Sequence, residues 1–289
     1  MILGRRLAAL ALALLSVPAT AAEPPLVRWH PARVHQGDIA WVHVRGAVNP
    51  ASVEGVLGPR TLTFFPYAGG QAAVVGVDLE LKTGPLPWRL AIVEPGREPR
   101  RLEGRLTIHR RDFRVQRLTL PSTMVDLDPE TERRAVSEGE RLRTLYQTIT
   151  PERLWRGRFT RPVAGTEAAT GFGARRIING RPRAPHSGAD YAADRGTPVV
   201  AANRGRVALV ADFFFPGRLV ALDHGLGLYT LYFHLDTVAV TDGEVVDRGQ
   251  SVGTVGATGR ATGPHLHFAA QLAGSRVDPA SLLSLDLRD

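Results

Sequence analysis

A chain that turns every few residues cannot build long helices, and turn residues punctuate this sequence almost throughout. Between Leu26 and His109, Gly and Pro separate short alternating runs such as Ile39-Ala40-Trp41-Val42-His43-Val44, Thr61-Leu62-Thr63-Phe64-Phe65 and Trp88-Arg89-Leu90-Ala91-Ile92-Val93. A period of two marks strands with one buried face, and strands at this spacing predict an immunoglobulin-like β-sandwich over residues 22–110. Past Trp155 the rhythm resumes in Gly205-Arg206-Val207-Ala208-Leu209-Val210, Leu219-Val220-Ala221-Leu222 and Tyr229-Thr230-Leu231-Tyr232-Phe233-His234. Residues 156–289 are therefore expected to form a second domain of mostly antiparallel sheet. The connector, 111–155, breaks the pattern. Asp128-Pro129-Glu130 is a helix start, with Asp128 as N-cap and Pro129 at the first helical position. Ala135, Leu142, Leu145 and Ile149 follow at helical intervals, which predicts an amphipathic helix over about 129–147, its narrow apolar stripe docked on a neighbouring domain and the helix placed between the two. The expected fold class is mainly β, a sandwich and an antiparallel-β domain joined by a helical connector.

Residues 1–21 read as an export signal: Arg5 and Arg6, an apolar run over 7–17, then small residues at Ala19 and Ala21 before cleavage ahead of Ala22. The run is too short for a membrane anchor, so no stable membrane insertion is expected once it is removed. The chain has no cysteine, which excludes disulfides and a lipid on an N-terminal Cys. The expected destination is secreted, periplasmic where the cell has an outer membrane. The net charge of +8 rests on arginine, since Lys82 is the only lysine. No nucleic-acid module accompanies it, so no nucleic acid partner is expected, and the charge suits an anionic envelope polymer.

Chemistry concentrates near the C-terminus, in Gly263-Pro264-His265-Leu266-His267-Phe268. On a strand His265 and His267 share one face while Leu266 and Phe268 take the other, and two imidazoles so aimed can supply a metal ligand, a base, or one of each. Far upstream, His186-Ser187-Gly188-Ala189-Asp190 sets an imidazole and a carboxylate on one face of an extended segment, with Gly188 relieving the crowding between them. Tyr232-Phe233-His234-Leu235 adds a further His on an alternating strand. Four histidines and one aspartate exceed the three ligands of a catalytic zinc site and leave two catalytic groups to spare. His30, His35, His43 and His109 are scattered without ligand spacing, and His224, in Asp223-His224-Gly225-Leu226-Gly227, reads as a structural turn residue.

At these residues the sequence resembles the M23 peptidases, the lysostaphin-like or LytM-type zinc endopeptidases of peptidoglycan. His-x-x-x-Asp at 186–190, Tyr-x-His-Leu at 232–235 and Thr-Gly-Pro-His-Leu-His-Phe at 262–268 carry the resemblance. Gly196-Thr197-Pro198-Val199 and Asp247-x-Gly249-Gln250-x-Val252-Gly253 support it. Ala269 departs from the acidic residue that often follows Phe268, and Ala261 from a common Ser.

The resemblance implies Zn²⁺ held by His186, Asp190 and His267, with His265 and His234 as catalytic imidazoles. His265, on the same face as a ligand, is expected to be the general base, and His234 is expected to stabilise the oxyanion, with orienting the water as the other role open to it. The implied substrate is the peptide cross-links of peptidoglycan, at the D-alanyl to diaminopimelate bond or, second, a glycyl-glycine bridge. The alternative is a degenerate, non-catalytic M23-like domain that binds peptidoglycan or activates cell-wall amidases. A zincin would need His-Glu-x-x-His on a helix, which is absent, and a serine hydrolase a nucleophile elbow, which is not expected here.

Overall fold

The computed structural model describes residues 26–48, 51–166 and 171–287. The export signal expected over 1–21 lies outside the described residues. Among those described, no helix is long and apolar enough to cross a membrane.

The fold is mainly β. In the N-terminal half, strands Leu26–His30, Ile39–Arg45, Gly70–Gly76 and Phe65–Tyr67 pair in that order. Opposite them lies a sheet ordered Val34–His35, Arg100–His109, Gly84–Val93, Ser52–Leu57 and Arg60–Thr61. Val42, Val44, Ala73 and Val75 of the first sheet meet Leu90, Ile92, Leu106 and Ile108 of the second in one buried cluster. In the second sheet these residues alternate with partly or fully exposed neighbours, while in the first the alternate residues turn to the opposite face, which is itself largely covered.

The C-terminal half is built on an antiparallel sheet ordered Gly188–Ala192, His265–Leu272, Leu228–Val238, Gly217–Asp223, Gly205–Phe213 and Val245–Val246. One of its faces buries Tyr191, Leu222, Tyr232, Leu266 and Phe268. That core continues without a break into Ile39, Phe65 and Ala72 of the sandwich. The two halves therefore touch directly. Arg276 pairs with Asp78 at 2.7 Å, and Arg111 bridges Asp38 at 2.5 Å and Asp278 at 2.7 Å. A Cβ on Gly76 would lie 2.9 Å from the Leu272 carbonyl oxygen, so only glycine allows this approach.

Helix α1 spans Pro129–Gln147, and the Asp128 side chain accepts from the amides of Glu130 and Thr131. It does not lie between the halves. Leu142, Leu145 and Tyr146 pack on the other face of the C-terminal sheet, against Leu209, Phe213, Leu219, Ala221, Leu231 and Ala269. Ile149 falls beyond the helix end and is 48% exposed, so Tyr146 takes its place in the stripe. From α1, Glu138 accepts the amide of Phe214 at 2.7 Å, bracing the hairpin that joins Gly205–Phe213 to Gly217–Asp223. The connector also supplies strand Val115–Leu118, which pairs in parallel with Arg175–Ile178.

Candidate metal centre

His186, Asp190 and His267 meet on the face opened by the Gly188–Ala192 and His265–Leu272 strands. The antiparallel register sets Asp190 opposite His267 and Ala192 opposite His265. His186 Nε2 lies 2.8 Å from His267 Nδ1 and 3.2 Å from Asp190 Oδ1, and His267 Nδ1 lies 2.9 Å from the same oxygen. Among the described residues these three form the one group whose donor atoms could hold a metal ion together. Gly188 makes the meeting possible, although the crowding it relieves is across strands: a Cβ there would sit 2.6 Å from His267 Nε2 and 2.6 Å from the Phe268 carbonyl oxygen.

Backbone carbonyls set the imidazole tautomers. His186 Nδ1 pairs with the Gly171 carbonyl at 3.0 Å, His265 Nδ1 with Gly263 at 2.8 Å and His234 Nδ1 with Thr258 at 2.8 Å. A carbonyl only accepts, so in each neutral ring Nδ1 carries the hydrogen and Nε2 presents a lone pair. His265 Nε2 stands 3.9 Å from Asp190 Oδ1, within reach of the cluster. His234 faces His265, with ring centres 4.8 Å apart.

His234 owes its place to a strand defect. Its φ is +63°, and the pairing register shifts beside it, between Arg218–Leu235 and Val220–Tyr232. In a regular strand Tyr232 and His234 would share a face. Here Tyr232 is fully buried, with its hydroxyl on the Ala202 amide at 2.8 Å, while Phe233 and His234 both reach the cleft. A bulge re-aims side chains in this way. Phe233 then stacks on the His267 ring, 5.3 Å between centres.

Burial keeps the His234 and His267 rings neutral. Desolvation, with repulsion from His267 and His265, pushes His234 down to about 3, and desolvation pushes His267 down to about 4 against the pull of Asp190. For Asp190 burial acts upward, but its close contacts with the His186 and His267 rings outweigh it and hold the carboxyl far below its usual range. Lone-pair imidazoles beside an ionised carboxylate form a donor set that suits zinc.

The five side chains line a cleft of about 310 Å³, together with Phe215, Pro216, Arg176 and Arg260. Sequence gave no signal for these two arginines, since single cations in an arginine-rich chain look alike. The other histidines stay apart. His30 stacks on Trp41, His35 lies 3.5 Å from Asp38, and His224 is wholly buried between the Arg204 carbonyl and the Thr230 hydroxyl, at 2.8 Å from each. Gly249-Gln250-Ser251-Val252-Gly253 does have the spacing of a nucleophile elbow. It leads into strand Ser251–Val255 and not into a helix, so the strand-turn-helix setting of an elbow is missing.

The family model of peptidase family M23 matches residues 184–279. Over 94 residues the chain is 40% identical to the peptidoglycan DD-endopeptidase ShyB of Vibrio cholerae, which is 32% of this chain and 22% of that protein. Over 97 residues it is 42% identical to the DD-carboxypeptidase/endopeptidase Mpg of Neisseria meningitidis, 34% of this chain and 22% of that one. The chain thus spans about a fifth of the length of these relatives. A crystal structure of a candidate M23 peptidase from Pseudomonas aeruginosa matches 87% of this chain and 95% of its own, with 30% identity and a TM-score of 0.68.

Proposed function

The chain belongs to peptidase family M23, and on that premise we propose that it is a zinc-dependent endopeptidase that hydrolyses the peptide cross-links of bacterial peptidoglycan. The observation that carries this reading is the convergence of His186 Nε2, Asp190 Oδ1 and His267 Nδ1 within 3.2 Å of one another, beside two further imidazoles in one cleft. The name of the Vibrio relative, a peptidoglycan DD-endopeptidase, supports peptidoglycan as substrate, and the Neisseria name, a DD-carboxypeptidase/endopeptidase, supports an endopeptidase; the bond we propose as target is D-alanyl to diaminopimelate. All five positions carry competent side chains, which argues against a degenerate binding module. Cross-links of this kind lie outside the cytoplasm, in keeping with the export signal expected over 1–21. For the chain's organisation we propose a sandwich over 22–110, a connector over 111–155 and the peptidase domain over 156–289.

His186, Asp190 and His267 would hold the ion. Bound there, zinc supplies a Lewis acid that polarises a peptide carbonyl and draws the pKa of water towards roughly 7. His265, with Nδ1–H committed to Gly263 and Nε2 turned to the cluster, takes the proton of the attacking water and returns it to the departing amine. His234 is fixed by Thr258 in the tautomer that accepts at Nε2. That geometry favours orienting the water over donating to an oxyanion, the role expected for this ring from sequence. Phe233 covers the His267 ring and keeps bulk water from one side of the ligand set. The test is digestion of purified sacculi by the zinc-loaded protein with mass analysis of the fragments; cleavage of cross-linked dimers to monomers is expected, and intact dimers after digestion would sink the reading.

A further inference from the structure

Two arginines line the cleft, and neither is neutralised. Arg176 belongs to the Arg175–Ile178 strand and Arg260 to the turn that precedes the His265–Leu272 strand. Among the described residues, neither guanidinium has a carboxylate within salt-bridge distance. Arg176 Nε donates to the amide oxygen of Gln116 at 3.3 Å, and the Arg260 guanidinium lies 4.0 Å from the centre of the Phe215 ring. Both contacts leave N–H groups of the planar forks unspent. Asp190 attracts Arg176 only from beyond contact, and one of its oxygens already serves two imidazoles.

Such a pair is unfavourable by itself. Burial, with repulsion from Arg176 and Arg183, pushes Arg260 down to about 10. Like charges held together in a half-buried cleft are relieved by an anion, and a guanidinium fork meets a carboxylate with two parallel hydrogen bonds. The connector maintains the arrangement. Val115–Leu118 pairs with Arg175–Ile178, and Asn179 clamps Leu120 through its amide at 3.0 Å in both directions, which fixes Gln116 beside Arg176.

We propose that Arg176 and Arg260 form a carboxylate subsite that selects peptides bearing a free carboxylate beside the scissile amide, with Gln116 of the connector as a positioning residue for Arg176. The subsite rests on the peptidase reading of the cleft. It makes the connector part of the substrate site, so the recognition surface is not confined to residues 156–289.

The test uses the full-length zinc-loaded protein carrying His265→Ala to stop turnover, titrated calorimetrically with cross-linked muropeptide dimers and with the same dimers after amidation of their carboxylates. Amidation is expected to weaken binding by about tenfold or more, the loss of a charge-assisted pair. Arg176→Gln and Arg260→Gln are expected to weaken the carboxylate form by a similar factor and to leave the amidated form unchanged. Gln116→Ala does the same to a smaller extent, and Arg260→Lys, which keeps the charge and loses the fork, falls in between. Equal affinity for both dimers, equal losses on both, or binding of neither overturns the subsite. Turnover with His265 intact is read separately: carboxylate-dependent binding without hydrolysis would defeat the peptidase reading and leave the subsite standing.

Discussion

Asp190 and His267 stand directly opposite each other on neighbouring antiparallel strands, with Oδ1 of one 2.9 Å from Nδ1 of the other. Opposed residues hold their Cβ atoms about 5 Å apart, so two of the three candidate ligands are fixed by backbone pairing alone. A slip of one residue would turn His267 into the core and Leu266 or Phe268 into the cleft. The burial of Leu266 and Phe268 pins the register and, through it, the site.

Removal of a ligand and removal of a base should part company. His186→Ala is expected to lose both bound zinc and hydrolysis, since it deletes a donor atom. His265→Ala is expected to lose hydrolysis by about a hundredfold or more, the usual reach of a general base, while keeping its zinc. Elemental analysis beside muropeptide turnover checks both, and zinc retained in His186→Ala would remove that residue from the ligand set.

Gly188→Ala should damage the site without touching a ligand. Its Cβ would come within 2.6 Å of His267 Nε2 and of a backbone oxygen that cannot swing aside. The strands must separate, at a cost of about 1–3 kcal/mol for overpacking, and zinc affinity should fall with it. An unaltered melting temperature and metal content would contradict the close approach.

His224 should make stability depend on pH. Burial pushes this ring down to about 4 from its ordinary 6.5. The unfolded chain therefore binds a proton at a higher pH than the folded one, and acid favours unfolding across that window. Its contribution is whole above pH 6.5, declines as pH falls towards about 4 and is constant below. At 1.36 kcal/mol per unit the loss is at most about 3 kcal/mol. The stability difference between the natural protein and His224→Asn, measured by denaturant melts from pH 8 to 4, should shrink on acidification, and a flat difference would rule the ring out.

Arg276 ties the sheet of the peptidase half to the sandwich through Asp78 and Glu80. Hydrogen bonds from Arg276 hold the Asp78 carboxyl below its usual 3.8, against the upward pull of burial. Arg276→Gln is expected to cost about 1–3 kcal/mol, as for a hydrogen bond to a charged group. That cost should be full above pH 3.8 and fade as pH falls below it, where the carboxylate takes up its proton. Chemical denaturation at pH 7 and pH 2.5 checks it; an equal cost at both would mean that the pairing carries no charge-dependent part.

Sequence alone reached the mainly β class from the spacing of turn residues, the start of the α1 helix from Asp128-Pro129, and the face shared by His265 and His267 from a period of two. Each depends on a few neighbouring residues, where local sterics and alternation decide. The helix docks by its stripe as expected but on the far face of the C-terminal sheet and not between the halves, for a stripe of Leu142 and Leu145 states that a face is buried, not which surface buries it. Sequence also had no means to see that Gln116 and Arg176 are neighbours, for they are 60 residues apart and meet through a parallel pairing.

The kind of strand and the set of side chains offered to a metal are written in alternation and residue chemistry, and need no fold to be read. How His234 reaches them is a matter of the packed fold, since a bulge at φ +63° reverses the alternation that would have sent it with Tyr232. Only the tertiary structure decided which ring nitrogen each imidazole presents, because the carbonyls of Gly171, Gly263 and Thr258 that fix the tautomers are brought there by loop closure and strand pairing. The physical reason is that a period of two assigns a side chain to a face, while convergence on one point needs the register between strands, and register is set by the packed core.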